Sequence, residues 1–135
     1  MKSLFYLLAG IVVLTACSGV VPEWQAASAA RDYYECLADG DAEGFLRGKA
    51  GADTLPAAYR EQLLAAVRQY QSDMERKHRG LRGVRIADDH YNQSASCRDT
   101  SLHVVYAFLL LAYADSTQEE VTVPMVEYDG RWMMK

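Results

Sequence analysis

Residues 102–135 read LHVVYAFLLLAYADSTQEEVTVPMVEYDGRWMMK, and this stretch decides the fold. Three segments rich in β-branched, aromatic and leucine side chains are separated by the polar break 115–118 and by Asp129-Gly130. Such side chains favour strands. Asp-Gly between apolar runs predicts a tight hairpin, because both residues tolerate the positive φ of a primed turn. The stretch therefore predicts an antiparallel meander, which needs other elements packed on one face.

Three helices are predicted upstream, and they can cover this sheet. The first begins at Pro22 and ends before Gly40, with an apolar face at three- and four-residue steps. A short helix over 42–47 and a long helix over 56–78 follow. The basic run 76–79 can be interpreted as helix capping or as a phosphate site. Capping is favoured, because the carbonyl groups at a helix carboxyl end repel anions.

The composition is that of an ordinary globular domain. Half of the 135 residues are hydrophobic, and the formal net charge is −4. This length suits one domain with one modest core. An acidic balance without a block of Lys or Arg argues against nucleic acid and against an anionic membrane surface as partners.

The amino terminus has the pattern of a bacterial lipoprotein signal. Lys2 precedes an apolar run over 4–14, which is too short to span a bilayer as a mature helix and fits a signal h-region. The run ends in Leu14-Thr15-Ala16-Cys17, which resembles a lipobox, whose cysteine receives diacylglycerol and becomes residue one after cleavage. An ordinary secretory signal with a chance cysteine is the alternative.

We therefore divide the chain into a signal peptide over 1–16, a lipidated tether over 17–25 and an α+β domain over 26–135. Ser18, by resemblance to the sorting pattern of Gram-negative lipoproteins, favours the outer membrane. A run of acidic residues after Cys17 would favour display on the cell surface, and the sequence has no such run there. We expect a domain that faces the periplasm and is held to the membrane by its lipid.

Cys36 and Cys97 remain for the domain. The periplasm is oxidising, so these two cysteines can form one disulfide that holds the first helix against the sheet. Two free buried thiols are the alternative. The sequence does not give the distance between the two residues and therefore does not decide between them. Short strands are predicted over 81–87 and 91–97. Between them, Asp88-Asp89-His90 is expected to form a polar turn, because neighbouring residues on an extended chain make a poor chelate. We expect no metal and no cofactor.

Two groups of motifs carry a resemblance to a known superfamily. Residues 33–46 read YYECLADGDAEGFL, in which a helix closes on Gly-Asp. The tail holds Asp115-Ser116-Thr117 after a strand and Asp129-Gly130-Arg131-Trp132 in a hairpin. Together they resemble small bacterial lipoproteins of unknown function in the nuclear-transport-factor-two-like superfamily. The resemblance covers nearly all of the chain after the signal. It implies a cystatin-like cone, with N-terminal helices on the concave face of a curved antiparallel sheet and often a cavity in the mouth.

Alternate residues of the strand 102–113 face opposite sides of the sheet. The even-numbered set is bulkier, and we assign it to the helices. The odd-numbered set, from His103 to Leu111, is assigned to the outer face. His103 has no evident carboxylate partner there, so a structural or interface role is expected rather than catalysis. The apolar outer face, together with the habit of the superfamily, predicts a homodimer.

The candidate pocket lining is Tyr33, Tyr106 and Trp132, which have apolar bodies and polar tips; the alternative is that they are simply core. The first functional hypothesis is a lipid-anchored periplasmic binding module without catalytic residues, which takes a small apolar ligand or an envelope protein. The second, implied by the resemblance, is a small-molecule enzyme of the ketosteroid-isomerase or polyketide-cyclase type. Such enzymes place an acid or histidine deep in the cone, and no residue here matches those positions. The third is an assembly factor that works through the apolar sheet face.

Overall fold

The computed structural model describes residues 22–87, 98–99 and 104–135. The helices are α1 (Pro22–Ala38), α2 (Ala42–Arg47) and α3 (Ala57–His78), with a 3₁₀ turn at Ala52–Thr54. The strands are β1 (Leu81–Ile86), β2 (Arg98–Asp99), β3 (Val104–Tyr113), β4 (Gln118–Tyr128) and β5 (Arg131–Met134). The three predicted helices and the meander are confirmed, although α1 already begins inside the predicted tether.

The strands form one antiparallel sheet that curls into a half-barrel. Its order is β1-β3-β4-β5, and β2 also pairs with β3. β3 and β4 pair from Val105 opposite Met125 to Ala112 opposite Gln118. The β4–β5 turn has positive φ at both Asp129 and Gly130, as the sequence predicts for this hairpin. The α+β class and the curved antiparallel sheet are therefore confirmed.

α1 lies directly on the concave face of the sheet, because its inner face consists of small residues. Ala26, Ala27 and Ala30 are 0% exposed and share one core cluster with Val105 and Ala107 of β3. A methyl group is all that separates the helix backbone from the sheet at these positions. Small side chains thus permit the close approach of α1 to the sheet.

The assignment of the two faces of β3 is wrong. Val105, Ala107 and Leu109 are buried against α1. Tyr106 and Phe108, which were assigned to the helices, lie on the opposite face and are partly exposed. Bulk was the wrong criterion, because the narrow space beneath an alanine-rich helix admits only small and medium side chains.

α3 is held at two separated points. Near its start, Leu64 packs on α2, where it is 1% exposed. Near its end, Met74 packs on Leu111 and Tyr113 of β3. These two are the buried residues of a 22-residue helix. No residue of α3 between these two points is fully buried, and Val67, which packs against both clusters, is only partly buried.

The loop after α2 passes tightly beneath the ring of Tyr33. A Cβ atom on Gly48 would lie 2.4–2.7 Å from the nearest ring carbons of Tyr33. The loop cannot easily retreat, because the amide of Met134 donates to the carbonyl oxygen of Gly48 at 2.7 Å. Gly48 is therefore required by space, since its φ of −74° suits any residue.

Gly48→Ala should lower the free energy of unfolding by about 1–3 kcal/mol, the usual cost of overpacking a tight contact. Urea unfolding followed by circular dichroism measures this change. Gly83→Ala is the matched control, because a Cβ atom at Gly83 meets nothing within 4 Å and should keep or raise the stability. Equal stability of the two variants would contradict the contact between Gly48 and Tyr33.

Candidate functional site

A groove opens between α2, the middle of α3 and the end of β5. Its volume is about 310 Å³, at the lower end of the range for small-molecule sites. The apolar lining residues are Phe45, Leu46, Leu63, Ala66, Val67 and Met134, and the polar ones are Lys49, Tyr70 and Lys135. From Leu63 to Tyr70 the wall formed by α3 is about 10 Å long, at 1.5 Å of rise per residue. The groove is therefore an elongated and mainly apolar site.

Two lysines stand at the β5 end of the groove, and backbone pairing fixes the position of both. Lys49 forms a parallel bridge with Met134. The amide of the next residue, Lys135, donates to the carbonyl oxygen of Pro124 at 2.9 Å. No Asp or Glu side chain in the described ranges lies within ion-pair distance of either ammonium group. This end of the groove therefore holds two lysine side chains without an Asp or Glu ion-pair partner among the described residues.

A cluster of tyrosines surrounds Glu119 near Tyr70. The hydroxyl of Tyr113 donates to Glu119 Oε2 at 2.6 Å. Burial, followed by this hydrogen bond, raises the pKa of Tyr113. Burial, followed by the charge of Glu119, raises the pKa of Tyr70, and burial raises the pKa of Tyr34 to about 12. The three phenols are therefore held neutral, and Tyr113 donates a hydrogen bond to the carboxylate rather than acting as a base.

The Asp-Ser-Thr motif locks the β3–β4 turn onto the end of α3. His78 Nδ1 lies 3.0 Å from Asp115 Oδ2, and the imidazole stacks on Tyr113 with centroids 4.2 Å apart. The amide of Asp115 donates to the carbonyl oxygen of His78, which satisfies one of the last carbonyls of the helix. The hydroxyl of Thr117 donates to Asp115 Oδ1 and also lies 3.2 Å from His78 Nδ1, so all three side chains belong to one set of contacts. We call these contacts among His78, Tyr113, Asp115 and Thr117 the clasp, and their role is structural.

A second cavity of about 310 Å³ lies beside the β4–β5 hairpin and has mixed charge. Its charged lining residues are Arg47, Asp53, Arg60, Asp129 and Arg131. Arg47 lies 3.8 Å from Asp41, the N-cap of α2, and Arg60 lies 4.0 Å from Glu43 of α2. The opposite charges offset one another, so this cavity has no clear preference for the charge of a ligand.

The three residues of the candidate pocket do not meet in one place. The hydroxyl of Tyr33 donates to the carbonyl oxygen of Trp132 at 2.8 Å, and both side chains pack on the α1 core. Tyr106 lies on the outer face, opposite Pro124 of β4. None of the three is among the lining residues of the groove. Tyr33 and Trp132 join α1 to β5 and act as core.

Cys36 is half-buried on α1, and its thiol lies 3.5 Å from the carbonyl oxygen of Asp32. Burial, followed by the charge of Asp41, raises the pKa of the thiol, so it is not activated as a nucleophile. Cys97 lies outside the described residues, and its pairing with Cys36 stays a prediction. The same holds for the lipidation of Cys17.

Two further sequence predictions, the role of His103 and the turn Asp88-Asp89-His90, also lie outside the described residues. Within the part of the chain that the structure describes, no three His, Cys, Asp or Glu side chains are grouped so as to hold a metal ion. No helix in that part has the length and apolar character needed to cross a membrane.

Sequence reasoning missed the groove and the tyrosine cluster. Both are built from segments far apart in the chain: Tyr70 comes from α3 and Glu119 from β4. The sequence did contain one signal for the groove. The long helix carries more apolar side chains along one face than the two that are buried, so part of that face is left without a covering element among the described residues.

The clasp predicts a pH dependence of stability. Hydrogen bonds from the side chain and amide of Thr117, with a smaller effect of His78, lower the pKa of Asp115 from 3.8 to about 2. A carboxylate whose pKa is lower in the folded state stabilises the fold above its unfolded pKa, and this contribution is lost as the pH falls through the folded value. We expect the contribution of Asp115 to be complete above about pH 4 and lost between about pH 4 and pH 2.

Asp115→Asn should therefore flatten the dependence of the unfolding free energy on pH between pH 4 and pH 2, as urea unfolding at several pH values measures. Asp53→Asn is the control, because Asp53 is exposed and belongs to no such clasp. A slope in Asp115→Asn equal to that of Asp53→Asn would contradict the role of the clasp.

No protein-family model matches the chain, and no curated protein matches its sequence. Among solved structures, the chain is similar to a protein from Campylobacter jejuni described as a candidate NTF2-like transpeptidase, with a TM-score of 0.56 and 11% identity. The match covers 79% of this chain and 94% of the other. At that identity the similarity shows the fold alone. The chain has the NTF2-like, cystatin-like cone fold that the sequence motifs imply.

Proposed function

We propose that this protein is a lipid-anchored binding module of the bacterial envelope that takes an elongated apolar ligand in the groove beneath α3. The observation that carries this proposal is the groove itself. Leu63 and Val67 pack against the clusters at the two anchor points of α3 and remain only half-buried, so part of each side chain forms apolar wall of the groove. Because apolar surface in water is unfavourable, a ligand that covers this wall gains free energy on binding.

The anchor and the location rest on the sequence. The lipobox ending at Cys17 supports lipidation, and Ser18 supports the outer membrane, with the domain facing the periplasm. A homodimer through the outer sheet face belongs to the same proposal. The odd-numbered residues over 105–111, from which it was predicted, are buried in the core, so the outer face consists instead of the even-numbered side chains, among them Tyr106 and Phe108. The NTF2-like fold fits either a binding module or an enzyme, so the lining of the groove has to decide between them.

The alternative function is a small-molecule enzyme of the isomerase or cyclase type. The described lining of the groove offers no carboxylate, imidazole, hydroxyl of Ser or Thr, or thiol. The carboxylate that such an enzyme could use is Glu119, which is exposed and already accepts a hydrogen bond from Tyr113. The groups of the lining that could take part in acid–base or transfer chemistry are Lys49, Lys135 and Tyr70, and no described carboxylate or imidazole side chain lines the groove beside them. This supports binding over such chemistry.

A photoreactive, uncharged fatty alcohol tests the binding site. The full chain is expressed in a bacterial host and purified from membranes into phosphatidylcholine nanodiscs. It is then labelled with an alcohol that carries a diazirine on its chain, and the labelled residues are mapped by mass spectrometry. We expect the label on α2, α3 and β5 around Phe45, Val67 and Met134. Ala66→Trp should reduce it at least about fivefold, because Ala66 lines the groove and the indole fills it.

Ala65→Trp is the matched control, because Ala65 is exposed on the same helix and is not a lining residue. Labelling that ignores Ala66→Trp, or that spreads evenly over the domain, would contradict the groove as a site. The same preparation tests the anchor: its amino-terminal peptide should begin at an acylated Cys17, and an unmodified cysteine would contradict lipidation.

A further inference from the structure

We infer that the ligand is an anionic amphiphile with a single hydrocarbon chain, whose acidic head lies at Lys49 and Lys135 and whose chain runs along α3 towards Tyr70. This inference deepens the proposed function and rests on it, because it identifies the ligand of the same groove. It follows from the distribution of charge along the groove, from the position of Glu119 and from the size of the groove.

The first observation is the pair of lysines at one end, which have no Asp or Glu ion-pair partner among the described residues. Lys49 and Lys135 are the charged lining residues of the groove, and both are lysines. Their backbones are fixed next to Met134, Lys49 by the bridge to β5 and Lys135 by its bond to Pro124. Two lysines beside an apolar wall, without an Asp or Glu ion-pair partner among the described residues, offer an anion a favourable interaction. Their backbones are fixed, while ordering their long side chains offsets part of this gain.

The second observation is the negative charge near the other end. Glu119 lies opposite Leu111, so it belongs to the concave side of the sheet. Met125, which pairs with Met134 beside the lysines, is six residues further along β4, or about 20 Å at the usual rise of a strand. Glu119 therefore disfavours an acidic head beside Tyr70, although Arg76 and Lys77 lie in the last turn of the same helix. The orientation of the ligand rests on the two lysines, which are the charged residues of the lining itself.

The third observation is the size and character of the wall between these ends. Leu63, Val67 and Phe45 present carbon surface along about 10 Å of helix. A volume of about 310 Å³ has room for one hydrocarbon chain and not for the paired chains of a phospholipid. A free fatty acid and a lysophospholipid with an acidic head share this chemistry.

A matched pair of probes tests the head group. The full chain in nanodiscs is titrated at pH 8 with a diazirine fatty acid and, separately, with its methyl ester, which has the same chain without the charge. We expect the acid to label the groove at a concentration at least about threefold lower than the ester, a ratio typical of partly exposed ion pairs. The ratio should fall as salt is raised.

The double variant Lys49→Gln/Lys135→Gln should bring the acid-to-ester ratio close to one, because it removes both positive charges of the lining. Lys77→Gln is the control, because Lys77 is exposed in the last turn of α3 and lines no part of the groove. Thermal unfolding monitored by circular dichroism confirms that each variant is folded.

The outcomes separate this inference from the proposed function. Equal labelling by acid and ester, or a ratio that the lysine variants do not change, overturns the inference and leaves the apolar site standing. Groove labelling by neither probe overturns both. Competition by unlabelled oleate or lysophosphatidic acid identifies a carboxylate or a phosphate head, and either supports the inference. Competition no better than that of a neutral monoacylglycerol overturns it.

Discussion

The contact between the alanine face of α1 and the small side chains of β3 is the constraint on which the rest of the structure depends. Ala26, Ala27 and Ala30 bring the helix backbone close to the concave face of the sheet. Because α1 fills that face, β3 must present small and medium residues such as Ala107 beneath it. This explains why the bulkier side of β3 faces outward.

The position of α1 also determines how α3 can pack. With the concave face occupied, α3 is held by α2 near its start and by the end of β3 near its finish, and the space between becomes the groove. The two ends of this space differ in charge, with lysines beside β5 and Glu119 beside the clasp. The groove thus arises from uneven packing of two helices over one sheet rather than from a dedicated loop.

Much of the fold could be predicted from the sequence because its signals are local. Asp129-Gly130 specifies the hairpin, and the breaks after Ala38 and His78 specify where helices end. Which side of β3 faces the helices could not be predicted. Both sides of that strand are apolar, so the alternation of its residues does not distinguish the buried side from the outer side. Tyr106 was therefore placed with Tyr33 and Trp132 although it lies on the other side of the sheet. The site could not be predicted because Lys49, Tyr70 and Lys135 are far apart in the sequence and line the same groove only in the folded chain.

The central claim is that the space beneath α1 is full and the space beneath α3 is open, and urea unfolding of two matched helix variants tests it most directly. Ala27→Leu should lower the free energy of unfolding by about 1–3 kcal/mol, because Ala27 is 0% exposed against the sheet. Ala66→Leu should keep or raise the stability, because its side chain enters the groove. Equal losses in both variants would mean that the groove is already filled, and a tolerated Ala27→Leu would mean that α1 is not in close contact with the sheet.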